Sequence, residues 1–240
     1  MISRYIKGEA SIVLREFDSG IFHLCITSPP YPMIKKWDDC FKIIDFNKQH
    51  KQLDKVWKEL YRCMIEGGIV CINIGDATRS VDGNFMCFPN YARIIVYCME
   101  LGFTPLIPIF WRKISNRPNA YLGSGMQPPN AYISQDCEYI MILRKGKLRK
   151  FPSKDRRRID SSYTKEERDR WFQQVWKGIP GVKGGKDSSA FPERLVYRLV
   201  RMFSVIGDNI VDPFCGSGTT RRVAEKLNRN CIEIDIKDYR

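Results

Sequence analysis

A proline-rich segment near the amino end carries residues suited to holding an amino group. Thr27-Ser28-Pro29-Pro30-Tyr31-Pro32 directly follows an apolar run at residues 21–26, which is typical of a buried strand. The two prolines fix the backbone and remove N–H donors, so carbonyl oxygens and the Ser28 hydroxyl are left to accept hydrogen bonds. Ligands of open parallel sheets bind at the carboxyl ends of strands. The segment is therefore predicted to lie in an active cleft, and a rigid turn with a packed Tyr31 is the structural alternative.

A glycine-containing segment near the carboxyl end has the composition of a ligand-binding turn. Residues 211–220 read Val-Asp-Pro-Phe-Cys-Gly-Ser-Gly-Thr-Thr, and the glycines allow a ligand to approach backbone N–H groups at a helix start. The segment lacks the Gly-Lys-Ser/Thr ending of a P-loop and does not complete Gly-x-Gly-x-x-Gly. A nucleoside ligand without phosphates fits it better. Glu233 and Asp235 alternate in the last predicted strand, where a carboxylate can accept hydrogen bonds from ribose hydroxyls.

The elements that must position these segments alternate between strands and helices. Short apolar runs predict buried strands at residues 21–26, 68–74, 209–211 and 230–235, and residues 132–143 predict one more strand, as part of a hairpin. Apolar residues three or four apart predict helices around 53–65, 91–101, 191–204 and 219–227. The alternation predicts an α/β fold with a mostly parallel sheet and helices on both faces.

Length and composition favour a single globular domain. The chain has 240 residues, of which 43% are hydrophobic and 28% charged, enough for one buried core and too few for two domains of ordinary size. We expect one domain over residues 1–240, with elaborations at about 112–131 and 145–187. No apolar run approaches the roughly 18 residues of a membrane span, and the first residues lack a signal-peptide pattern. A cytoplasmic protein without a membrane partner is expected.

Cysteine and histidine usage disfavours disulfides and metals. The nine cysteines are odd in number and scattered, and the two histidines, His23 and His50, lie far apart. We therefore expect reduced core cysteines and no metal site.

The strong positive charge indicates a polyanionic partner. A net charge of +13 attracts polyanions over about a Debye length, and nucleic acid is the first candidate. Many basic proteins bind no specific polyanion, so charge alone decides little. Lys and Arg are concentrated in residues 144–158, which a phosphate-binding surface or a solvated basic loop would explain. Trp171 and Trp176 are expected in the core.

Together the two segments resemble the amino-methylating DNA methyltransferases of restriction–modification type. Ser28-Pro29-Pro30-Tyr31 and residues 212–220 match the family motifs over consecutive positions, in the permuted (beta-class) order in which the catalytic motif comes first. Residues 66–68, 73–76, 102–103, 111–113 and 191–195 also resemble family segments, so the resemblance covers most of the chain. It implies a Rossmann-like S-adenosylmethionine-dependent methyltransferase fold, S-adenosylmethionine as cofactor and double-stranded DNA as substrate. A cognate restriction endonuclease is implied as a genetic rather than physical partner.

The resemblance also assigns catalytic roles. The amino group of cytosine or adenine is a poor nucleophile because its lone pair is conjugated into the ring. In the family the serine hydroxyl and the first proline carbonyl draw the nitrogen towards tetrahedral geometry, and the flipped-out base stacks on the tyrosine. We extend this with Asn73 or Asp76 as a second acceptor. The catalytic residues implied are Ser28, Pro29, Pro30 and Tyr31.

Cofactor and DNA contacts are implied in the same way. The turn at 212–219 would hold the methionine part of the cofactor, Glu233 the ribose, and Glu9 the adenine in place of a usual Asp, while a helix start near Ser189 lines the pocket. The cofactor residues implied are Asp212, Pro213, Phe214, Gly216, Gly218, Thr219, Glu233, Asp235, Ser189, Phe191 and Glu9. The DNA-binding residues expected are Lys35, Lys36, Arg112, Lys113, Arg117, Arg149, Lys150, Arg156, Arg157 and Arg158.

Serine at the first motif position favours N4 of cytosine as the methylated atom, because family members that methylate adenine more often carry Asp or Asn there. Adenine N6 methylation is the alternative. An RNA or protein methyltransferase is a more distant one, since in those the glycine motif normally comes first. A DNA-binding protein without turnover is the last alternative, and both intact motifs argue against it.

Overall fold

A computed structural model describes residues 3–113, 127–129, 133, 135–181 and 192–237. Strands and helices alternate along most of the chain. The strands are β1 (Ser3–Lys7), β2 (Phe22–Thr27), β3 (Met64–Ile74), β4 (Ala77–Val81), β5 (Asn84–Phe88), β6 (Phe103–Pro105), β7 (Ile109–Arg112), β8 (Cys137–Lys145), β9 (Val175–Trp176), β10 (Asn209–Asp212) and β11 (Asn230–Asp235). The helices are α1 (Ala10–Val13), α2 (Asp38–Phe41), α3 (Phe46–Cys63), α4 (Asn90–Glu100), α5 (Arg156–Asp160), α6 (Lys165–Trp171), α7 (Glu193–Phe203) and α8 (Thr219–Lys226).

One large sheet organises these elements. Its strand order is β1-β11-β10-β2-β3-β8-β7-β9, with β6 paired to β8. Strands β1, β11, β10, β2 and β3 are parallel to one another, whereas β8 runs antiparallel to β3, β6 and β7. The two strands that precede the predicted ligand-binding turns, β2 and β10, are direct neighbours. The expected α/β fold with a mostly parallel sheet is thus confirmed.

Helices cover both faces because successive residues of the central strands point to opposite sides. Val70 and Ile72 of β3 belong to the core cluster that contains Trp57 of α3 and Ile94 of α4. Cys71, between them, belongs to the other cluster, with the α7 and α8 side chains. A strand buried on both faces reads as a continuous apolar run, which is why β2, β3 and β10 were recognisable in the sequence.

Helix α3 illustrates how the local sequence sets an element that borders the site. The side chain of Asp45 accepts a hydrogen bond from the backbone N–H of Lys48 and caps the helix start, which satisfies an otherwise unpaired donor. Leu53, Val56 and Leu60 are buried at helical spacing, so one face of α3 packs on the sheet.

The structure differs from the sequence-based expectation in its details. A separate two-stranded sheet, β4–β5, follows β3, and the sequence analysis did not predict it; β4 is mostly polar, and the apolar part of β5 is only four residues long. The 145–187 elaboration contains α5, α6 and β9, while most of 112–131 lies outside the described residues. Trp171 and Trp176 are buried as expected. Among the described residues no helix is both long and apolar enough to cross a membrane, and no group of three potential metal ligands occurs.

Candidate active site

The two predicted turns meet at one cavity. Because β2 and β10 are parallel neighbours, their carboxyl ends release the chain at the same edge of the sheet. The cavity has a volume of about 530 Å³ and is lined by Ser28 and Pro30 from the first turn and by residues 212–217 from the second. Pro29 and Tyr31 are buried beside it. Segments far apart in the sequence therefore share one site.

A buried hydrogen bond fastens the two turns together. The hydroxyl of Thr27, the last residue of β2, donates to Oδ1 of Asp212, the last residue of β10, at 2.8 Å. The Thr220 hydroxyl donates to Oδ2 at 2.6 Å, and the backbone N–H of Phe214 donates to Oδ1 at 3.2 Å. Asp212 thus ties β2, its own turn and the start of α8 into one unit.

Burial dominates the electrostatics of Asp212. Its carboxyl is almost completely buried, and burial raises the pKa of Asp212 to about 7, against the lowering effect of its hydrogen bonds. A buried carboxylate with three donors is well suited to a structural role under a turn.

The cavity wall carries acidic and basic side chains together. Glu9, Asp212 and Asp235 contribute carboxylates, and the lysines that line the cavity are Lys42, Lys55 and Lys237. Oδ2 of Asp235 accepts a hydrogen bond from the backbone N–H of Gly216 at 3.0 Å. Gly216 and Gly218 have φ angles of +50° and +80°, which L side chains rarely adopt. The turn thus has a fixed shape with polar groups at both ends.

Glu233 occupies a different place from the one expected. It is 1% exposed, does not line the cavity, and accepts hydrogen bonds from the backbone N–H of Arg221 at 3.1 Å and its Nε at 2.9 Å. Gly218 lies against it, since an added Cβ would be 3.1 Å from the carboxylate oxygens. The ribose role predicted for Glu233 is corrected on this geometry, and Asp235, at the end of β11, is the acid that reaches the cavity.

Behind Ser28 lies a network that the sequence analysis missed. Ser28 Oγ donates to Tyr31 Oη at 3.2 Å, and Tyr31 Oη donates to Glu138 Oε2 at 3.1 Å. Asn73 Nδ2 donates to both Tyr31 Oη and Glu138 Oε2, at 2.5 and 2.6 Å. Burial, followed by the Glu138 carboxylate, raises the pKa of Tyr31 well above its usual value.

The contacts of Asn73, Asp76 and Tyr31 can be compared with the roles expected of them. Asn73 donates through Nδ2, while its buried Oδ1 has no hydrogen-bond partner among the described residues, so its role as a second acceptor stays a prediction. Asp76, between β3 and β4, accepts a hydrogen bond from the backbone N–H of Tyr91 at 3.0 Å, so its side chain contacts the start of α4. Tyr31 as a whole residue is 9% exposed, and its ring lies against Gly75, where an added Cβ would be 3.3 Å from Cε2. Stacking of a base on this ring stays a prediction.

Asn90 holds the proline-rich turn in place. Its Nδ2 donates to the carbonyl oxygens of Pro32 at 3.1 Å and Gly75 at 3.0 Å. Its Oδ1 is 3.0 Å from Nε2 of His50. Burial lowers the pKa of His50 to about 4, so the ring is neutral near pH 7 and donates from Nε2 to the amide oxygen.

The predicted DNA-binding residues fall into two groups. Lys35 and Lys36 are exposed in a short 3-10 helix, Lys35–Trp37, directly after the proline-rich turn. Arg112 ends β7 and pairs with Asp136 at 2.9 Å, and Lys113 pairs with Glu138. All four lie at the carboxyl edge of the parallel strands, on the side of the cavity.

The remaining described residues of that prediction lie at the opposite edge. Arg144 of β8 is paired with Ile69 near the start of the parallel segment of β3, so the chain after β8 leaves the sheet away from the cavity. Both terminal nitrogens of Arg149 donate to the Asp208 carboxylate, at 2.6 and 2.8 Å. The structure therefore corrects the prediction for Arg149, whose guanidinium is part of an internal ion pair.

For Lys150, Arg156, Arg157 and Arg158, DNA contact stays a prediction. All four are exposed, and Arg157 pairs with Asp155 at 2.8 Å. Ser189, Phe191 and Arg117 lie outside the described residues.

Comparison with known proteins agrees with this geometry. The family model described as DNA methylase, which covers N6- and N4-directed enzymes, matches residues 22–240. The chain is 46% identical to the type II methyltransferase M.MjaI of Methanocaldococcus jannaschii, over 97% of this chain and 86% of that protein. It is 39% identical to the type II methyltransferase M.MthZI of Methanothermobacter thermautotrophicus, over 97% of this chain and 72% of that protein.

Solved structures give the same result. A Thermus thermophilus protein solved in complex with S-adenosyl-L-methionine has a TM-score of 0.82 and 34% identity, over 98% of this chain and 90% of that one. The PvuII cytosine-N4-specific DNA methyltransferase has a TM-score of 0.69 at 19% identity, over 99% of this chain and 83% of that one, which is a likeness of fold alone. The chain belongs to the N6/N4 DNA methylase family.

Proposed function

We propose that this DNA methyltransferase transfers a methyl group from S-adenosylmethionine to N4 of cytosine in double-stranded DNA. The observation that carries the methyl transfer is the shared cavity, in which the Ser28 turn and the glycine turn lie side by side. The choice of cytosine rests on serine at position 28, where the family members that methylate adenine more often carry Asp or Asn. Orienting two reactants in one site replaces an encounter in solution, which can lower a barrier by roughly 7–11 kcal/mol in the best cases.

The cavity suits S-adenosylmethionine in size and chemistry. Its volume of about 530 Å³ lies within the range of pockets that hold small ligands. The methionine part of the ligand is proposed to lie on the glycine turn, where the lysines of the wall are complementary to its carboxylate. Glu9, which also lines the cavity, is proposed for the adenine. Asp235 is proposed for the ribose hydroxyls. When bound, the cofactor supplies an electrophilic methyl group and leaves as a neutral thioether.

Ser28 is proposed to accept a hydrogen bond from the substrate amino group. Its hydroxyl proton is donated to Tyr31, so the oxygen lone pairs remain for the amino N–H. Pro30 lines the same wall and Pro29 is buried behind it. Because a stacked base cannot reach the cavity, the target is proposed to flip out of the duplex, at a cost of a few kcal/mol.

The DNA is proposed to lie across the carboxyl edge of the parallel strands. Lys35, Lys36, Arg112 and Lys113 are at this edge and would contact phosphates near the flipped base. The single-domain organisation, the cytoplasmic location and a cognate endonuclease as a genetic partner belong to the same proposal.

The target base is testable in cells. The protein is expressed in a host lacking DNA methylation, and its DNA is digested and analysed by mass spectrometry of nucleosides. We expect 4-methylcytosine; 6-methyladenine without 4-methylcytosine would establish the adenine alternative instead.

The role of Ser28 is tested by Ser28→Ala. We expect a single-turnover rate lower by about 10²-fold or more, the range of one acid–base interaction, with cofactor affinity retained in calorimetry. A wild-type rate in this variant would remove Ser28 from the chemistry.

A further inference from the structure

The hydrogen-bonded chain behind Ser28 ends on a carboxylate that the proposed function does not use. Ser28 Oγ, Tyr31 Oη and Glu138 Oε2 follow one another at 3.2 and 3.1 Å. We propose that these groups form a proton relay in which Glu138 takes up the proton lost by the substrate amino group. The inference rests on the proposed function, because it describes where that reaction sends its proton.

The polarity of the chain is fixed by its neighbours. Tyr31 Oη accepts from Ser28 and from Asn73, and so gives its own proton to Glu138. The Asn73 amide has its Nδ2 towards Glu138 at 2.6 Å, the orientation that a carboxylate requires. Lys113 pairs with the other oxygen, Oε1. Each of these donors thus points at Glu138, and the hydrogen bonds of the relay run in one direction, from Ser28 to the carboxylate.

The packing around the relay keeps its members together. The side chain of Glu138 is 14% exposed, and Tyr31 is buried. Glycine at position 75 allows this approach, since a Cβ there would lie 3.3 Å from both Glu138 Cγ and Tyr31 Cε2.

The proton transfers balance without another reactant. The methylated nitrogen carries a positive charge, and its N–H bond breaks as the proton passes to Ser28 Oγ. The Ser28 proton passes to Tyr31 Oη, and the Tyr31 proton passes to Glu138 Oε2. The nitrogen ends neutral, both hydroxyls keep one proton, and the carboxylate ends protonated. Glu138 acts through Tyr31 and Ser28, so it is a positioning residue and final acceptor that does not itself contact the base.

Two variants interrupt the relay at different points. Glu138→Gln places an N–H donor where the acceptor oxygen was, which reverses the hydrogen bond to Tyr31. Tyr31→Phe keeps the ring for packing and stacking but removes Oη. If the tyrosine served only to stack on a base, phenylalanine would replace it without loss.

The assay is single-turnover transfer of tritiated methyl from S-adenosylmethionine to unmethylated phage DNA. Both variants should be slower by about 10²–10⁴-fold near pH 7.5, with the rate rising as pH increases because solvent must take the proton. Glu138→Ala should be partly restored by added formate. Glu66→Gln is the matched control: Glu66 is a carboxylate at the other end of β3 that accepts from the backbone N–H of Lys147 at 2.7 Å, and its loss should leave rate and pH profile unchanged.

A second measurement needs no substrate. If Tyr31 and Glu138 share a hydrogen bond, the Tyr31→Phe/Glu138→Gln double variant should lose less thermal stability than the sum of the two single variants. Additive losses would overturn the relay whatever the substrate is. A wild-type rate, or a lower rate with an unchanged pH profile and no formate rescue, would overturn it as well. Absence of methyl transfer by the wild-type protein would instead contradict the proposed function.

Discussion

Replacing Arg149 by methionine separates its structural role from the DNA contact first expected of it. The Asp208 carboxylate is 1% exposed and accepts from both terminal nitrogens of Arg149, at 2.6 and 2.8 Å. Methionine keeps an apolar stem but removes the donors. Asp208 would then keep the backbone N–H of Val205 at 2.9 Å and the more distant Nε2 of His23 at 3.7 Å.

The expected loss in free energy of unfolding follows from the partners that Asp208 would lose and keep. Removing one partner of a buried ion pair costs about 3–5 kcal/mol, because it leaves an uncompensated charge. Arg149 itself is 20% exposed and the Val205 donor remains, so we expect the lower end, about 3 kcal/mol. For chains of roughly 150–250 residues, 1 kcal/mol lowers Tm by about 2–4 °C. The Arg149→Met variant should therefore melt about 6–12 °C below the wild type.

The assay combines thermal unfolding with the salt dependence of DNA binding. Lys150→Met is the matched control, because it removes the same charge at the exposed neighbouring position and should shift Tm by less than about 2 °C. Removal of one phosphate-binding side chain from the interface would flatten the salt slope by about 0.9. The reasoning is refuted if Arg149→Met keeps the wild-type Tm while its salt slope falls by that amount.

Other parts of the site give separate predictions. Gly216→Val should lower S-adenosylmethionine affinity by more than about 10²-fold in calorimetry (about 2.7 kcal/mol), because position 216 lies in the cavity wall at a φ of +50°. Gly20→Ala, at a positive-φ position with open space around it, should leave this affinity unchanged. Equal losses of affinity in the two variants would count against the cavity as the cofactor site. The pKa of Asp212, about 7 when folded against 3.8 ordinarily, means that the folded chain binds more protons between pH 4 and 7, so this group lowers stability as pH rises, by up to about 1.4 kcal/mol per pH unit. Asp212→Asn should remove that slope in urea unfolding, and an unchanged slope would contradict the assignment. Lys35→Gln/Lys36→Gln should weaken DNA binding and flatten its salt slope by up to about 1.8, whereas an unchanged slope would place the DNA elsewhere.

The sequence predicted the fold class and the meeting of the two turns because the signals were local. The runs that became β2, β3 and β10 are continuous and apolar, and each motif is a consecutive stretch. Their meeting followed from a general property of parallel sheets, that neighbouring strands end at one edge.

What the sequence did not predict depends on register and long-range pairing. Glu138 is 107 positions from Tyr31 and reaches it only because β8 pairs with β3 in one particular register, which the local sequence does not indicate. The one local indication was the position of Glu138, an acidic residue at the start of a strand that is otherwise largely apolar. Glu233 and Asp235 are two residues apart and therefore point to the same face of β11. Which acid reaches the cavity depends on where the strand ends, and only the structure shows that Gly218 and Arg221 cover Glu233. Arg149 could not be distinguished in the sequence from the other members of the basic run, because its partner Asp208 is 59 positions away.

The contact between His50 and Asn90 has a consequence for robustness. A neutral imidazole offers one N–H and one lone pair, and the Nε2 proton is used by the Asn90 oxygen. The same amide must then turn its nitrogen towards the Pro32 and Gly75 carbonyls. With a pKa of about 4 in the folded protein, the imidazole stays neutral and keeps this arrangement through mild acidification. The free energy of unfolding nevertheless declines below pH 6.5, because the histidine of the unfolded chain takes up a proton there and that of the folded chain does not. The proline-rich turn should therefore keep its geometry in mildly acidic solution, because His50, which orients Asn90, stays neutral at that pH.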